Sequence, residues 1–368
     1  MRPSRDSGEA IVTIASFEID YRQFLDADGR VAAELPTFAQ DPSDLIPLYR
    51  GMVLNRTFDQ RAIALQRTGQ LGTYPSSLGQ EAVAIGIGSA MRAEDVLVPA
   101  FRVHGTQLWR GVSLVELFLF WAGDERGSDF AGPRQDFPVS IPVGSQTPHA
   151  AGVALACKLR DDDRAVVCTL GDGATSKGDF YEALNVAGAW TLPVVYVVNN
   201  NQWAISVPRD HQTAAETLAQ KAIAAGVEGL QVDGNDVIAV RAAVEEALDK
   251  ARQGRGATLI EALTYRLSDH TTADDASRYR DDEAVGKHWA DDPIARLRDY
   301  LVSENVWGKA DEENLLTEVA NEVETAVGEY LAIPPEPPEA IFDSLYDVLP
   351  KALAEQRRSL IEEAAEDG

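Results

Sequence analysis

Two polar triplets in the chain carry the residue types that bind a hydrated divalent cation and a phosphate group. Gly171-Asp172-Gly173 follows one short apolar run, and Asn199-Asn200-Asn201 follows the next. A carboxylate and an amide oxygen suit Mg²⁺, which takes few protein ligands and completes its octahedron with phosphate oxygens and water. The glycines beside Asp172 allow close approach of the backbone to a diphosphate and leave N–H groups free to bind it. Each triplet alone is typical of an ordinary turn, so the spacing between them decides whether they form one binding site.

That spacing places both triplets on one edge of a parallel sheet. The runs Ala165–Leu170 and Pro193–Val198 have the continuous apolar character of strands buried on both faces, and a helix is expected between them over about residues 180–190. In a right-handed strand–helix–strand unit both strands bring their carboxyl ends to the edge where open α/β sheets bind ligands. Asp172 and Asn201, which are 29 residues apart, are therefore expected to be neighbours in space.

The rest of the chain predicts an α/β fold, with a mostly parallel sheet and helices on both faces. Further strands are expected around residues 230–232 and over residues 258–263. A helix is expected to begin after residues 41–44, with Asp41 or Ser43 as its cap. The segment Asp124–Pro148 is predicted to be a long loop, and loops of that length are usually functional.

The predicted divisions of the chain are an N-terminal arm over residues 1–40, the α/β domain over residues 41–285, and a helical C-terminal extension over residues 286–368. The 368 residues, of which 45% are hydrophobic, are enough to bury a substantial core. The segment Pro334–Pro338 is expected to be a stiff spacer before a last helix.

Charge and cysteine content restrict the partners and the compartment. The 33 basic and 59 acidic residues give a formal net charge of −26, which repels nucleic acid and anionic membranes, so we expect neither as a partner. Cys157 and Cys168 form neither a disulfide framework nor a zinc motif. Since the first residues are mixed and polar and the apolar stretches are short, we expect a cytoplasmic protein.

One long stretch carries a specific resemblance. GDGATSKGDFYEALNVAGAWTLPVVYVVNNNQWAIS, residues 171–206, resembles the thiamine diphosphate motif of 2-oxo acid dehydrogenase E1 α subunits, and most closely those of bacterial pyruvate dehydrogenases with separate α and β chains. The likeness extends over about residues 45–346. It includes TYPSSLGQE (73–81), TLAQKAIAAG (217–226), QVDGND (231–236) and DHTTADDASRYR (269–280).

The resemblance implies how the cofactor's charged end is held. It assigns Mg²⁺ to the side chains of Asp172 and Asn201 and to the backbone carbonyl of Trp203. It assigns the diphosphate of thiamine diphosphate to the backbone at Gly173 and Ala174.

The remaining implied contacts surround the rest of the cofactor. Phe101-Arg102 matches a Tyr-Arg pair that contacts cofactor phosphate, with Phe101 lacking the hydroxyl. The backbone around Ile141 and Val143 is expected to face the aminopyrimidine ring. His270 matches a histidine on a mobile loop that contacts phosphate or handles protons during acyl transfer, so it is the candidate catalytic residue.

The function that the resemblance implies is the oxidative decarboxylation of pyruvate, with transfer of the acyl group to a lipoyl-bearing E2 acyltransferase. Branched-chain 2-oxo acids and acetoin are alternative substrates. The family's glutamate for cofactor activation belongs to a β subunit, so an α₂β₂ heterotetramer is expected. The length agrees with this division, because one nucleotide-type domain is visible where single-chain thiamine enzymes need two. Tyr74-Pro75-Ser76 is expected to lie toward the substrate pocket, and residues 124–137 depart from the family's pattern.

Two other classes of function compete with this one. A nicotinamide-dependent oxidoreductase would carry G-x-G-x-x-G at the start of a helix, and the chain has only Gly171-x-Gly173 followed by Ala174. No phosphate-loop motif G-x-x-x-x-G-K-[ST] occurs either. A cofactor-free structural subunit of a larger complex would not need a metal site, yet Asp172 and Asn201 are both present.

Overall fold

The computed structural model describes residues 13–343 and 345–367. Its strands are β1 (Tyr21–Arg22), β2 (Val96–Val98), β3 (Val166–Gly171), β4 (Val194–Asn200), β5 (Trp203–Ala204), β6 (Val207–Pro208), β7 (Glu228–Asp233) and β8 (Thr258–Leu263). Six of them form one parallel sheet in the order β1-β7-β8-β4-β3-β2, while β5 and β6 form a small antiparallel ribbon. The α/β fold class is therefore confirmed.

The α-helices of the described residues are α1 (Ile46–Arg67), α2 (Glu81–Ala90), α3 (His104–Trp109), α4 (Leu114–Ala122), α5 (Gln146–Arg160), α6 (Gly178–Ala189), α7 (Arg209–Gln212), α8 (Lys221–Ala224), α9 (Val237–Arg252), α10 (Asp282–His288), α11 (Pro293–Ser303), α12 (Lys309–Ala332) and α13 (Lys351–Asp367). Among them, no helix combines the length and the apolar character needed to cross a bilayer.

The sheet lies between two layers of helices. Helices α5 and α6 pack on one face, and α2 and α9 pack on the other. Every residue of β4 is buried, as expected for a central parallel strand covered on both sides. Helices α1, α11 and α12 form a third layer outside α2 and share one hydrophobic cluster with it. The domain boundaries at residues 40 and 285 stay predictions.

The predicted strand–helix–strand units are confirmed, with small shifts at their ends. The crossover from β3 through α6 to β4 is parallel, and Gly171 pairs with Asn199 at the carboxyl edge of the sheet. The cap before α1 is Asp41, whose carboxylate accepts the backbone N–H of Ser43 over 2.9 Å and begins a 3-10 turn that leads into the helix.

The loop prediction for residues 124–148 was wrong at its carboxyl end. Helix α5 begins at Gln146, so Pro148 lies inside a helix. Proline is tolerated there because the N–H groups of a helix's first turn have no partner within the helix. A short 3-10 turn also interrupts the loop at Glu125–Ser128. The edge strands β1 and β2 were missed because they contribute only two and three residues.

The loop that precedes α5 is fixed to the sheet by a buried ion pair. Asp136 accepts the backbone N–H of Leu97 in β2 over 2.9 Å and an Arg110 guanidinium N–H over 2.8 Å. At the other end of the loop, Arg126 donates to the carbonyl of Pro334 over 3.0 Å. These contacts hold residues 124–137 between the sheet edge and the proline-rich segment.

Candidate active site

A cavity of about 640 Å³ opens at the carboxyl edge of β3 and β4. It is lined by residues of both triplets and the positions next to them, and by residues from five other parts of the chain: 73–80, 100–103, 121, 140–146 and 270–271. All ten residues predicted to bind cofactor or metal line it: Phe101, Arg102, Ile141, Val143, Asp172, Gly173, Ala174, Asn201, Trp203 and His270. Their common location is a result of the fold, since the first and the last are 169 positions apart in the sequence.

Asp172 is a nearly buried carboxylate with one side-chain partner. It begins a 3-10 turn directly after β3, and its Oδ2 accepts the Nε2–H of Gln212 in α7 over 2.8 Å. Burial raises the pKa of Asp172, and this hydrogen bond, backbone N–H groups and the charge of Arg266 oppose that rise only in part. A cation beside this carboxylate would offset the desolvation of its charged form.

Asn201 presents its amide in a fixed orientation. Its Nδ2 donates to Oε1 of Gln80 over 3.0 Å, and its Oδ1 accepts the backbone N–H of Trp203 over 3.2 Å. Asn199 donates to the same Gln80 oxygen over 3.0 Å. The oxygen of Asn201 therefore lies on the side of the amide away from Gln80, where it retains a lone pair for a ligand.

These groups fit a hard cation and a diphosphate. Within residues 13–343 and 345–367, no three His, Cys, Asp or Glu side chains cluster as a metal site. The available ligands are instead one carboxylate with amide and carbonyl oxygens, which suits Mg²⁺ bound partly through phosphate. At Gly173 a Cβ atom would come within 2.7 Å of the Ala204 Cβ, so glycine keeps the passage beside Asp172 open. Within the part of the chain that the structure describes, the buried Nε2 of Gln80 has no hydrogen-bond partner, as a group awaiting a ligand would.

Two buried arginines lie near these ligands, and one of them, Arg102, lines the cavity. Arg102 donates to the carbonyl of His270 over 2.9 Å, and the fully buried Arg266 donates to the carbonyl of Ile205 over 2.9 Å. Burial and the neighbouring charge of Arg266 lower the pKa of Arg102 to about 10, so it remains a cation at neutral pH. Among the described residues no carboxylate bonds to either guanidinium group, so both contribute the positive potential that a diphosphate needs.

His270 lies between the two guanidinium groups, and its tautomer follows from them. Its Nδ1 is 3.3 Å from Nη2 of Arg102 and 3.4 Å from Nη1 of Arg266. Since arginine can only donate, Nδ1 is an acceptor and the proton of the neutral ring is on Nε2. Burial, followed by the charges of Arg102 and Arg266, lowers the pKa of His270 to about 4. The ring is therefore neutral at pH 7 and offers one N–H.

The remaining predicted residues form apolar walls. The ring of Phe101 lies edge-on to His270, with 6.2 Å between ring centroids, and the Arg102 guanidinium is 5.4 Å from the Phe101 centroid. Phe101 therefore contributes a cation–π contact where the family's tyrosine has a hydroxyl. Ile141 and Val143 are about half exposed and lie at the mouth of the cavity.

Comparison with known protein families identifies the family to which this chain belongs. The family model described as "Dehydrogenase E1 component" matches residues 49–339, which is more than half of the chain. The chain belongs to the dehydrogenase E1 component family. Members of this family depend on thiamine diphosphate, and the ten residues that the resemblance assigns to its site line the cavity of this E1 chain.

Curated relatives agree with this assignment and carry two substrate names. This E1 chain is 40% identical over 356 residues to the "3-methyl-2-oxobutanoate dehydrogenase subunit alpha" of Mycobacterium tuberculosis, which covers 96% of both chains. It is 42% identical over 299 residues to the "Pyruvate dehydrogenase E1 component subunit alpha" of Acholeplasma laidlawii, covering 81% of this chain and 87% of that one. The protein of the latter name in Staphylococcus aureus is 39% identical over 337 residues, 91% of this chain and 90% of that one. The predicted family of 2-oxo acid dehydrogenase E1 α subunits is confirmed.

A buried chain of hydrogen bonds supports one side of the E1 cavity. Trp121, which lines the cavity, donates to Nε2 of His104 over 3.0 Å, and Nδ1 of His104 is 3.3 Å from the Tyr74 hydroxyl. Tyr74 in turn donates to the buried carboxylate of Asp59 over 3.0 Å. The Ser76 hydroxyl donates to the same carboxylate over 2.5 Å. The segment Tyr74-Pro75-Ser76, which is expected to lie toward the substrate pocket, is thus held in place by two hydrogen bonds to Asp59.

Several residues of the site had no role in the sequence-based prediction. They are Gln80, Trp121, Gln212 and Arg266. Gln80 lies in the TYPSSLGQE segment whose resemblance was noted, so its position was marked although its contacts were not. Arg266 precedes His270 by four residues and had no motif to distinguish it from a surface arginine.

Proposed function

We propose that this E1 α subunit holds Mg²⁺ and thiamine diphosphate and, together with a β subunit, carries out the oxidative decarboxylation of pyruvate with acyl transfer to a lipoyl-bearing E2 acyltransferase. The observation that supports it best is that one cavity is lined by the oxygen ligands Asp172 and Asn201 and by the cation Arg102, with Arg266 within 3.4 Å of the lining residue His270. A cation bound to a diphosphate is the ligand whose charges match both kinds of group.

The chain's own residues would bind and orient the cofactor. Asp172, Asn201 and the Trp203 carbonyl would hold the cation, while the backbone at Gly173 and Ala174 and the side chain of Arg102 would hold phosphate oxygens. When bound, thiamine diphosphate supplies the carbanion chemistry that breaks the bond between the carboxylate and the carbonyl carbon of a 2-oxo acid. His270, as a neutral donor with its pKa near 4, would donate a hydrogen bond from Nε2 to a ligand oxygen without adding charge.

A partner subunit is supported by the mouth of the cavity. Three apolar side chains that line it and one in the adjoining strand β6, which pairs with the lining residue Ala204, are 43–55% exposed: Ile141, Val143, Ile205 and Val207. Such a rim beside a cofactor cavity is typical of a protein interface. We propose that a β subunit covers this rim in an α₂β₂ heterotetramer and provides the glutamate that activates the cofactor.

Pyruvate is proposed as the substrate because a bulky side chain takes up part of the cavity. Trp121 lines it beside Thr73 and Pro75, and its hydrogen bond to His104 fixes the indole in place. A fixed indole leaves less room for a branched acyl group than a small side chain would. The second candidate is a branched-chain 2-oxo acid, which is favoured by the name of the mycobacterial relative that matches 96% of this chain.

The metal site can be tested by calorimetry on the enzyme assembled with its β subunit. Asp172→Asn should weaken Mg²⁺-dependent binding of thiamine diphosphate at least a hundredfold. The matched control is Asp162→Asn, which alters a half-exposed ion pair before the opposite end of β3. Unchanged affinity in the Asp172 variant would contradict the proposed site.

Substrate choice and subunit dependence need a separate experiment. The assembled enzyme is assayed with pyruvate, 3-methyl-2-oxobutanoate and acetoin, and the chain without its β subunit is assayed alongside. We expect the highest kcat/KM for pyruvate and no turnover by the chain alone. Preference for 3-methyl-2-oxobutanoate would favour the second candidate, and robust turnover by the isolated chain would contradict the two-subunit site.

A further inference from the structure

Gln80 accepts hydrogen bonds from two asparagine side chains at the edge of the cavity. It precedes the first residue of α2 and is 1% exposed, and it lines the cavity. Its single Oε1 atom accepts two hydrogen bonds of 3.0 Å, one from the amide nitrogen of Asn199 and one from that of Asn201. One acceptor thus fixes two asparagines at the carboxyl end of β4.

An asparagine side chain needs such a partner in order to present its oxygen reliably. The amide oxygen and nitrogen are nearly equal in size, so packing alone cannot choose between an amide and its flipped form. Hydrogen bonding can, because the nitrogen only donates and the oxygen only accepts. At Asn201 the choice decides whether a cation meets a lone pair or an N–H₂ group.

We infer that Gln80 is a positioning residue that makes Asn201 present its amide oxygen, and not its nitrogen, to the cation. The inference rests on the function proposed above. Flipping Asn201 would place its oxygen against Oε1 of Gln80 and would also lose the hydrogen bond from the Trp203 backbone N–H. Both contacts therefore favour the same orientation, with the oxygen directed away from Gln80.

The orientation of Gln80 itself is fixed by its two donors. Rotating its amide would bring Nε2 against the amide nitrogens of Asn199 and Asn201, so that three N–H₂ groups would face each other. The backbone N–H of Trp203, which can only donate, holds Oδ1 of Asn201, so the amide nitrogen of Asn201 faces Gln80 and requires an oxygen there. The order therefore extends from the Trp203 N–H through Asn201 to Gln80, and from Gln80 to Asn199.

The same arrangement leaves Nε2 of Gln80 as a buried donor with no hydrogen-bond partner among residues 13–343 and 345–367. Buried polar groups in native proteins are nearly always hydrogen-bonded, so this atom points to an acceptor that the cavity's ligand supplies. An oxygen of the bound phosphate–cation complex is such an acceptor. Gln80 would then contact both Asn201, which would bind the metal, and the bound phosphate–cation complex.

Two substitutions separate these roles. Gln80→Met keeps the length of the side chain but removes the acceptor and the donor. Gln80→Glu keeps an acceptor for both asparagines and loses only the donor, while its charge attracts the cation. The full chain is co-purified with its β subunit, Mg²⁺ is titrated calorimetrically at saturating thiamine diphosphate, and the melting temperature of each variant is measured.

We expect Gln80→Met to bind Mg²⁺ at least tenfold more weakly than the unaltered enzyme, and Gln80→Glu to bind it no more weakly. Thiamine diphosphate affinity at saturating Mg²⁺ should fall in both variants because both lack the donor. Asn55→Ala is the control for a buried amide that does not line the cavity, since Asn55 is fully buried in α1 and its Nδ2 donates to the Ser77 hydroxyl over 3.4 Å. This variant should lower the melting temperature without weakening the binding of Mg²⁺.

Two results would overturn the inference: Mg²⁺ affinity unchanged in Gln80→Met, or Gln80→Glu as weak as Gln80→Met. A general structural role would lower the melting temperature of Gln80→Met to the same extent as that of Asn55→Ala and leave the Mg²⁺ affinities equal. If the unaltered enzyme binds no Mg²⁺–thiamine diphosphate at all, the proposed function fails, and that outcome is distinct from the other two.

Discussion

The indole N–H of Trp121 donates to Nε2 of His104 over 3.0 Å. An indole can only donate, so Nε2 is an acceptor and the proton of the neutral imidazole is on Nδ1, facing the Tyr74 hydroxyl. The imidazole also stacks on the Tyr74 ring, with 5.2 Å between centroids. Burial, together with the charge of Arg102, lowers the pKa of His104 to about 3. Protonation of this histidine therefore destabilises the fold.

His104→Gln should flatten the dependence of stability on pH. Because the unfolded chain takes up a proton near pH 6.5 and the folded chain only near pH 3, His104 makes the fold less stable as pH falls between these values. The loss at pH 5 is about 2 kcal/mol. Glutamine keeps one acceptor and one donor without titrating, so urea unfolding at pH 7.5 and pH 5.0 should show a smaller change in the variant by about that amount. Equal changes would mean that His104 does not titrate in this way.

Gly173→Ala should narrow the cofactor site. The added methyl group would lie 2.7 Å from the Ala204 Cβ, so the β5–β6 ribbon would have to move. We expect a loss of about 1–2 kcal/mol in the free energy of unfolding and at least a tenfold loss in thiamine diphosphate affinity. Gly178→Ala, where nothing lies within 4 Å of the new atom, is the control and should change neither. Calorimetry with unaltered affinity in the Gly173 variant would contradict a close backbone approach.

Ile205→Gly should stabilise the protein. Ile205 has φ +55°, a left-handed conformation that a β-branched residue rarely adopts, and its carbonyl is held there by Arg266. Since the side chain is 55% exposed, its removal costs little burial, and the free energy of unfolding should rise by about 1 kcal/mol. Val207→Gly, in the neighbouring strand β6, removes a similarly exposed side chain without positive φ and should destabilise. A loss in both variants would show that Ile205 stores no strain.

Asp136→Ala should release the loop over residues 124–137. The Asp136 and Arg110 side chains are 2% and 4% exposed, and removing one partner of a buried ion pair costs about 3 kcal/mol or more. We expect that loss in urea unfolding, and faster limited proteolysis within the loop. The control Asp129→Ala breaks a pair with Arg134 that is exposed on both sides, and it should change stability by less than about 1 kcal/mol. Equal proteolysis of both variants would show that the buried pair does not anchor the loop.

The fold could be predicted where periodicity and length agreed. The buried runs that became β3, β4 and β8 are continuous and bounded by turn residues, so their assignment needed no tertiary information. The start of α5 could not be found in this way, because Pro148 in its first turn has the local signature of a loop. Strand β1 is two residues long and is defined by its partner β7 rather than by its own sequence.

The site could be predicted only as far as its motifs extended. Asp172 and Asn201 followed from strand ends and spacing, and the structure places both on the same cavity. Gln80 and Arg266 act through their contacts with other side chains, and such contacts depend on how distant segments pack. The left-handed backbone of Ile205 was also invisible, since isoleucine is among the residues least suited to it.

The exposed rim of Ile141, Val143, Ile205 and Val207 has a consequence for the cell. If a β subunit covers this rim as proposed, a chain synthesised in excess of that partner would expose these apolar side chains to solvent and to other chains. Balanced production of the two polypeptides, as from a shared message, would keep the rim covered from the moment of assembly. The solubility of this enzyme would then depend on the ratio in which the two polypeptides are synthesised as well as on its surface charge.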